Sequence, residues 1–414
     1  MQAYDVIILG GGISGLTFGR LLQMHTDKKF LILEKESEPG GLCRTKHLGG
    51  NHFDIGGGHF LYSKHQPVYD FIFSHVAKDQ FNEFDRVTNI HIHGMYVDYP
   101  LEQNLWQLPE DTQVSYADSI IDAIKSTHHG VGFNQWLYRN LGSQITNNYL
   151  VPYNKKLWGI DPKHLSTEWL YKIPPVDVKD ILRSLILRRA NSKAIPSHPY
   201  FYYPKQGGFQ TITDAIYAPI KEHVVCSEPV SGIVNMFDKW FINGKYSAPI
   251  VINTIPWSSV TDPASGFSHP LIATLKHSSL VVSFEKEEAG EAVKSKWMWT
   301  YEPDENVSYH RKFYLQNYCP GNADSCVALE TNLNRWVRTG TELYSHLNEF
   351  AYPIPTLNLE KDIRQILRHY EARKLYGLGR WGQWAYHNSD VCILEAMKLF
   401  NRLFATPDTM LTVQ

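Results

Sequence analysis

The stretch YDVIILGGGISGLTFGRLL, residues 4–22, decides the fold. Val6–Leu9 is an apolar run that predicts a buried strand, and the apolar residues after the glycines predict a helix. Gly10, Gly12 and Gly15 stand between them in the spacing G-x-G-x-x-G. Gly10 allows the tight turn, Gly12 leaves room for phosphates, and Gly15 lets the helix lie close to the sheet. The helix N-terminus offers N–H groups and partial positive charge to an anion. The stretch therefore predicts a loop that binds the pyrophosphate of a dinucleotide.

An acidic residue and a second glycine turn follow where a dinucleotide needs them. Glu34 ends a second predicted strand, roughly 20 positions after Gly15, where a carboxylate accepts hydrogen bonds from the adenosine ribose. Because a carboxylate there repels a 2′-phosphate, FAD or NAD fits better than NADP. Residues 38–45 read EPGGLCRT. Their Gly41 and Arg44 resemble the second fingerprint of the large FAD-dependent amine-oxidase-like superfamily.

Length and composition limit the class of protein. A chain of 414 residues is long for one core, so two or three lobes are expected. The net charge of −2 gives no basic surplus, so no nucleic acid partner is expected. Five widely spaced cysteines indicate a reducing compartment, and no zinc-type pair is present. We see no signal peptide and no apolar stretch of membrane-spanning length, and therefore expect no stable membrane insertion and a cytoplasmic enzyme.

The order of predicted elements indicates an α/β fold, with a discontinuous Rossmann-like FAD-binding domain that carries a helical insertion and an antiparallel β-sheet insertion. An alternating stretch around His93-Gly94 predicts a hairpin. The expected limits are residues 1–84, 196–262 and 371–414 for the FAD-binding domain, residues 103–195 for a helical substrate domain, and residues 85–102 and 263–370 for an antiparallel sheet substrate domain.

A second glycine cluster precedes a histidine. Gly56, Gly57 and Gly58 come directly before His59. Glycines let a backbone approach a flat ring closely, and His59 could then hydrogen-bond to that ring or tune it. The alternative is a surface loop with an incidental histidine. Paired histidines elsewhere lack a third ligand, so no metal site is expected.

Six segments in chain order resemble motifs of UDP-galactopyranose mutases. They are Gly57–Ser63 (GGHFLYS), Tyr96–Leu101 (YVDYPL), Pro152–Gly159 (PYNKKLWG), Tyr203–Gly208 (YPKQGG), Ala351–Thr356 (AYPIPT) and Gly379–Tyr386 (GRWGQWAY). The similarity covers most of the chain, and residues 340–400 look nearest to the eukaryotic-type branch of the family.

The resemblance implies a flavin-dependent nucleotide-sugar mutase. It would interconvert the pyranose and furanose forms of a UDP-sugar, UDP-galactose foremost, as in cell-surface polysaccharide biosynthesis. Reduced FAD acts through N5 as a nucleophile on the anomeric carbon, the sugar adduct opens and recloses through another hydroxyl, and UDP returns, so the protein mainly binds, orients and balances charge. NAD(P)H or another reductant would keep the flavin reduced. The alternatives are an FAD-dependent oxidase or dehydrogenase of the amine-oxidase or protoporphyrinogen-oxidase type, and a flavin-binding protein without catalysis.

The resemblance also assigns roles to residues. The implied catalytic residues are His59 and Arg311; the cofactor-binding residues are Gly10, Gly12, Gly15, Glu34, Gly41, Arg44, Gly57, Gly58, Val230 and Arg380; the substrate-binding residues are Tyr99, Trp158, Lys172, Arg311, Tyr352 and Tyr386. Lys172 stands where the family has an arginine, and lysine supplies charge without a bidentate fork. This departure leaves the exact substrate open. The sequence alone does not determine the sugar, the nucleotide, the reductant, whether the protein is a homo-oligomer, or whether residues 150–200 form a mobile flap.

Overall fold

The computed structural model describes residues 1–125, 130–170, 177–190, 198–260, 268–287, 290, 295–407 and 409–413. Lys172, predicted to contact substrate, lies outside the described residues. In the part of the chain that is described, no helix combines the length and the apolar character that crossing a membrane would require.

Strands of the described residues form five sheets. In chain order they are β1 Gln2–Ala3, β2 Val6–Leu9, β3 Phe30–Leu33, β4 Thr45–Leu48, β5 Asn51–Asp54, β6 Phe81–Asp85, β7 Thr88–Ile92, β8 Met95–Asp98, β9 Tyr200–Pro204, β10 Val224–Val225, β11 Ile233–Met236, β12 Lys239–Ile242, β13 Tyr246–Ala248, β14 Ile250–Asn253, β15 His277–Lys286, β16 Trp299–Tyr301, β17 Arg311–Tyr314, β18 Cys326–Asn332, β19 Tyr344–Pro353 and β20 Leu375–Gly377.

Helices cover and connect these sheets. They are α1 Ile13–His25, α2 Gln66–His75, α3 Glu110–Lys125, α4 Phe133–Ile145, α5 Val151–Trp158, α6 Val178–Leu187, α7 Gln210–Tyr217, α8 Leu359–Glu371, α9 Gly379–Gly382 and α10 Ser389–Phe404.

A five-stranded parallel sheet is the base of the fold, in the order β10-β3-β2-β14-β20. The strands VIIL of β2 and FLIL of β3 are buried along their whole length. Such continuous apolar runs are typical of parallel strands covered on both faces. Helix α1 leaves β2 through the glycine turn and packs against α7 and α10. The sheet therefore fixes the glycine turn at the carboxyl end of a central strand.

A seven-stranded sheet has the order β19-β15-β18-β17-β16-β7-β8. Its neighbours are antiparallel except for β16 and β7, and β19 is an outer strand. Helices α3 to α6 bury a second core with this sheet, in which Tyr116, Leu137 and Trp158 join Ile90 and Leu280. The sheet and the helical layer thus enclose space beside the parallel sheet.

The predicted α/β fold with a Rossmann-like part is confirmed, and the predicted hairpin is present as β7–β8. The sequence patterns did not indicate β19, because residues 345–349 (SHLNE) are mostly polar and residues 346–350 line a cavity. They also missed α8, whose buried Leu359, Ile363, Ile366 and Tyr370 recur at helical spacing. The domain limits stay a prediction.

Candidate functional site

The glycine turn after β2 has the geometry that its spacing predicts. Gly10 has φ +100°, and a Cβ there would lie 2.5 Å from Thr254 Oγ1. A Cβ on Gly15 would lie 2.1 Å from the Gly10 carbonyl oxygen, so α1 approaches the turn too closely for any side chain. A Cβ on Gly12 would have only Gly41 Cα near it, at 4.0 Å. Gly12 therefore borders open space, which is the room that a phosphate group needs.

This open space is a cavity of about 460 Å³, here called the glycine-loop cavity. Two glycine turns form one side (Gly10, Gly12, Gly40 and Gly41), and residues 346–350 of β19 lie on another. Its volume is in the range of about 300–1,000 Å³ for small-molecule sites. Of the predicted cofactor-binding residues, the following line it: Gly10, Gly12, Glu34, Gly41, Arg44, Val230 and Arg380.

The acid at the end of β3 is held rigidly. Glu34 is 6% exposed, and its carboxylate accepts hydrogen bonds from the N–H groups of Gly11 at 2.7 Å and Glu36 at 2.9 Å. Each carboxylate oxygen keeps further acceptor capacity. Arg44 donates from Nε to the Gly41 carbonyl at 3.1 Å and stands 3.9 Å from the Glu38 carboxylate. The end of the cavity near Glu34 is thus rich in acceptors, which suits ribose hydroxyls.

The second glycine cluster packs against protein. A Cβ on Gly57 would lie 2.0 Å from Glu330 Oε1, and one on Gly58 would lie 2.2 Å from the Phe313 ring. The Gly58 N–H donates to Glu330 Oε1 at 3.0 Å. Gly15 and Gly57 do not line the glycine-loop cavity or the second cavity described below. Gly58 lines that second cavity. In the structure the cluster brings the His59 loop against β17 and β18, and the close approach of a flat ring to it stays a prediction.

His59 is neutral at physiological pH. Burial, followed by the charge of Arg380, lowers the pKa of His59 to about 4. Its Nδ1 lies 3.3 Å from the Gly57 carbonyl oxygen. An N–H at Nδ1 that donates there leaves Nε2 as an acceptor. The ring therefore offers one lone pair and no charge.

A second cavity of about 230 Å³, the aromatic cavity, lies beyond His59. Four predicted substrate-binding residues line it, namely Tyr99, Arg311, Tyr352 and Tyr386. Tyr149 and Tyr153 from the helical layer also line this cavity. A tyrosine-rich wall with a guanidinium group suits a ligand that has both ring faces and an anionic part.

Arg311 forms an ion pair that also reaches the His59 loop. Its Nε and Nη2 donate to Glu330 Oε2 at 2.8 and 2.6 Å. Glu330 is 1% exposed, and His310 Nε2 lies 3.4 Å from the same oxygen. Burial alone would raise the pKa of Glu330, but Arg311 and His310 hold it at about 2. The carboxylate is ionised, and it fixes Arg311 and the Gly58 N–H together.

Arg380 is held by carbonyl groups. Its Nη1 donates to Ala351 O at 2.9 Å, and its Nε and Nη2 donate to His387 O at 3.0 and 2.8 Å. The guanidinium lies 5.2 Å from the ring centre of Tyr352. None of the ion pairs found within the described ranges includes Arg380. Its charge is therefore available to an anionic ligand. Burial raises the pKa values of Tyr352 and Tyr386, so both hydroxyls stay protonated.

Trp158 does not reach either cavity. Its side chain is 1% exposed, and Nε1 donates to Asn154 Oδ1 at 3.1 Å. The ring packs edge-on behind Tyr352 and Tyr386, at centroid distances of 6.1 and 5.4 Å. We expect Trp158 to contact the substrate directly, but in the structure it packs against the two tyrosines instead. The reason is that the side of α5 that carries Trp158 is buried in the helical core.

The sequence reasoning missed three charged residues. Arg86 lines the aromatic cavity, stacks 4.4 Å over Tyr99, and donates from Nη2 to the Tyr301 hydroxyl at 3.0 Å. Glu102 lines the same cavity, and Glu330 accepts a hydrogen bond from Arg311. The only sequence signal is the position of Arg86 and Glu102 at the two ends of the hairpin segment. Glu330 sits in an ordinary strand and carries no such signal.

The two cavities meet. His59, Arg380 and Ser389 line both of them. A dinucleotide that enters with its pyrophosphate at the glycine turn can thus present its other end to a ligand in the aromatic cavity. No cluster of metal-ligating side chains is found in the parts of the chain that are described.

The fold and the two cavities define a Rossmann-type dinucleotide-binding protein with a second ligand cavity beside the dinucleotide. Residues 8–73 match the family described as NAD(P)-binding Rossmann-like domain.

Over its whole length, the chain has a fold similar to that of UDP-galactopyranose mutase. A crystal structure of reduced UDP-galactopyranose mutase matches with a TM-score of 0.86 at 22% identity, covering 99% of this chain and 97% of that one. UDP-galactopyranose mutase of Mycoplasma genitalium is 27% identical over 178 residues, which are 39% of this chain and 41% of that protein. dTDP-fucopyranose mutase of Escherichia coli is 21% identical over 187 residues, 41% of this chain and 45% of that protein. The matches thus span less than half of these curated relatives. The resemblance to UDP-galactopyranose mutases that the motifs indicate is confirmed, and the nearness of residues 340–400 to the eukaryotic-type branch stays a prediction.

Proposed function

We propose that this protein is an FAD-dependent mutase that interconverts the pyranose and furanose forms of a UDP-sugar, with UDP-galactose as the first candidate substrate. One observation carries the proposal. A cavity with the acid and glycine turns suited to FAD opens, at His59 and Arg380, onto a second cavity that contains Arg311, Tyr352 and Tyr386.

The aromatic cavity has the charges that a diphosphate needs. Arg86, Arg311 and Arg380 line it, and Glu330 neutralises Arg311 in part. The protonated hydroxyls of Tyr352 and Tyr386 add neutral donors beside Arg311. Charge-assisted hydrogen bonds to phosphate are stronger than neutral ones. We therefore place the diphosphate at the part of the aromatic cavity where Tyr352 and Tyr386 lie beside Arg311. Residues Tyr149 and Tyr153 of the helical layer line the cavity, which supports residues 103–195 as a substrate domain.

The reaction is an isomerisation with no net oxidation or reduction. Reduced FAD supplies a nucleophilic N5 for the anomeric carbon of the sugar. Neutral His59 stands between the two cavities, and its Nε2 can accept a hydrogen bond from the reduced ring or a sugar hydroxyl. Arg380 places a positive charge at the same junction, where it would stabilise negative charge on a bound reduced flavin. The tyrosine side chains that line the aromatic cavity would shield the reacting sugar from water.

The test uses the holoenzyme reduced with dithionite under argon. UDP-galactopyranose is added, and the nucleotide sugars are separated by anion-exchange chromatography. We expect UDP-galactofuranose to appear, with turnover far above the amount of reductant, and no conversion by the oxidised enzyme. If reduced FAD is bound and no UDP- or dTDP-hexose is converted, the proposal is wrong.

A net oxidation would indicate the other class of enzyme that shares this fold, an oxidase or dehydrogenase. That reaction consumes one equivalent of oxygen or another acceptor for every product formed. A mutase needs reductant only to keep FAD reduced, from NAD(P)H or another donor. Oxygen uptake measured beside product formation separates the two.

A further inference from the structure

The segment Tyr203–Gly208 (YPKQGG) has no contact with either cavity. The other five segments that resemble motifs contribute side chains or backbone to the cavity walls, and all six segments lie within the described residues. Tyr203 is 2% exposed, and the two glycines have φ values of +80° and +70°, so the chain turns sharply before α7. The segment therefore needs a role other than direct contact with a ligand.

The carboxylate of Asp54 joins this segment to two others. Its Oδ1 accepts hydrogen bonds from Thr45 Oγ1 at 2.6 Å and from the Phe209 N–H at 3.0 Å. Its Oδ2 accepts one from the Tyr203 hydroxyl at 2.7 Å. A Cβ on Gly208 would lie 2.9 Å from Asp54 Oδ1 and 2.4 Å from Thr45 Cγ2, so the turn closes only with glycine. One buried carboxylate thus ties the turn before α7 to the second glycine turn and to the strand that precedes the His59 loop.

Phe209, which follows the turn, packs against His59. Its side chain is 1% exposed and lines neither cavity. The ring centroids of Phe209 and His59 are 5.4 Å apart, with their planes tilted by 37°. Gly56 restricts the His59 ring as well, since a Cβ there would lie 2.5 Å from His59 Cε1. The orientation of the imidazole at the junction of the cavities is therefore set in part by contacts outside both of them.

We infer that Phe209, fixed by Asp54, is a positioning residue that holds the imidazole ring of His59 at the junction of the two cavities. This inference rests on the proposed function and goes beyond it. With the N–H of His59 at Nδ1, Nε2 is the atom that accepts a hydrogen bond from the cofactor or the sugar. A displacement of about 1 Å in such a group costs up to about 100-fold in rate. The segment Tyr203–Gly208 thus acts on the reaction through His59.

The first test observes the His59 ring in oxidised holoenzyme that contains 15N-labelled histidine. The nitrogen shifts distinguish the two neutral tautomers, and the signal that disappears in His59→Ala belongs to His59. For the wild type we expect the N–H at Nδ1, directed at the Gly57 carbonyl. Phe209→Leu removes the ring contact, so its His59 signal should move towards the average of both tautomers. Phe71→Leu is the matched control, because Phe71 packs 4.6 Å from the His75 ring and lines neither cavity. It should leave the His59 signal unchanged.

Two substitutions of Asp54 test how Phe209 is held. Asp54→Asn keeps an acceptor for Thr45 and the Phe209 N–H, and the Tyr203 hydroxyl can accept from the new amide. Its His59 signal should match the wild type. Asp54→Ala removes every acceptor and should give the same signal as Phe209→Leu. FAD absorbance and the melting temperature check that each variant folds, and a wild-type His59 signal in folded Asp54→Ala would show that Asp54 does not fix Phe209.

Turnover of UDP-galactose by reduced holoenzyme is the second measurement. Phe209→Leu should lower kcat by up to about 100-fold and leave KM nearly unchanged. Added to His59→Ala it should lower kcat no further, because both changes remove the same contribution. A wild-type His59 signal in Phe209→Leu, or an equal loss of kcat in both backgrounds, would overturn the inference. If the wild type converts no nucleotide sugar, the mutase proposal fails, and the His59 signal alone decides whether Phe209 positions the ring.

Discussion

The ion pair between Arg311 and Glu330 predicts an unusual response to ligand. Glu330→Gln keeps the shape of the side chain and an acceptor for the Gly58 N–H, but it removes the charge that balances Arg311. The guanidinium is then left half-desolvated without a counter-ion. A diphosphate in the aromatic cavity would restore that balance. We therefore expect the variant to be less stable than the wild type and to gain more stability from UDP.

The size of the effect follows from the pKa of Glu330. The pKa falls from an ordinary 4.5 to about 2, and at 1.36 kcal/mol per unit this corresponds to about 3 kcal/mol. Because the folded-state pKa is lowered, this stability is present above pH 4.5 and is lost as the pH falls towards 2. Because the Arg311 side chain is 18% exposed, solvent screening reduces this loss of stability. For a chain of this length, we expect the melting temperature at pH 7 to fall by roughly 3–5 °C.

Thermal unfolding of oxidised holoenzyme with and without UDP measures both quantities. Glu302→Gln is the matched control, since Glu302 is a buried carboxylate, 2.7 Å from His91 Nδ1, that lines neither cavity. It should lose stability and gain from UDP only as much as the wild type does. An equal UDP-induced shift in Glu330→Gln and the wild type would refute the reasoning.

Three further substitutions test the remaining parts of the site. His59→Ala should retain FAD, measured by its absorbance, and lose most of its turnover. An unchanged kcat would mean that the His59 loop has only a structural role. Arg311→Ala should weaken UDP by about 1.5–3 kcal/mol in a calorimetric titration, and unaltered affinity would place the diphosphate elsewhere. Gly58→Ala should lower both stability and kcat, because its Cβ would lie 2.2 Å from the Phe313 ring. Gly232→Ala, which has nothing within 4 Å, is the control and should match the wild type in both.

The parts of the fold that depend on local pattern could be predicted from the sequence. The glycine turn at Gly10 and Gly15 follows from steric limits within a few residues, and the buried strands Val6–Leu9 and Ile250–Asn253 follow from continuous apolar runs. The hairpin at His93-Gly94 follows from alternation and a turn. Each of these features is decided by neighbours in the chain.

The parts of the site that depend on distant contacts could not be predicted. Glu330 meets Gly58 across 272 positions of chain, and nothing in the strand CVALETN distinguishes its glutamate from a surface residue. Trp158 belongs to a recognisable motif, yet the direction of its ring depends on how α5 packs. Glu102 and Arg86 reach the cavity because the hairpin folds onto β16. Such positions are set by tertiary packing, which no local spacing encodes.

The position of the outer strand β19 beside the glycine-loop cavity predicts a second role for the cofactor. Among the described strands, β19 pairs only with β15, and its residues 346–350 line the glycine-loop cavity. An uncovered strand edge is a template for pairing with another chain. A bound dinucleotide would cover this edge, so apoprotein should self-associate where holoprotein stays dispersed. Supply of flavin during synthesis would then govern the yield of dispersed protein as well as its activity.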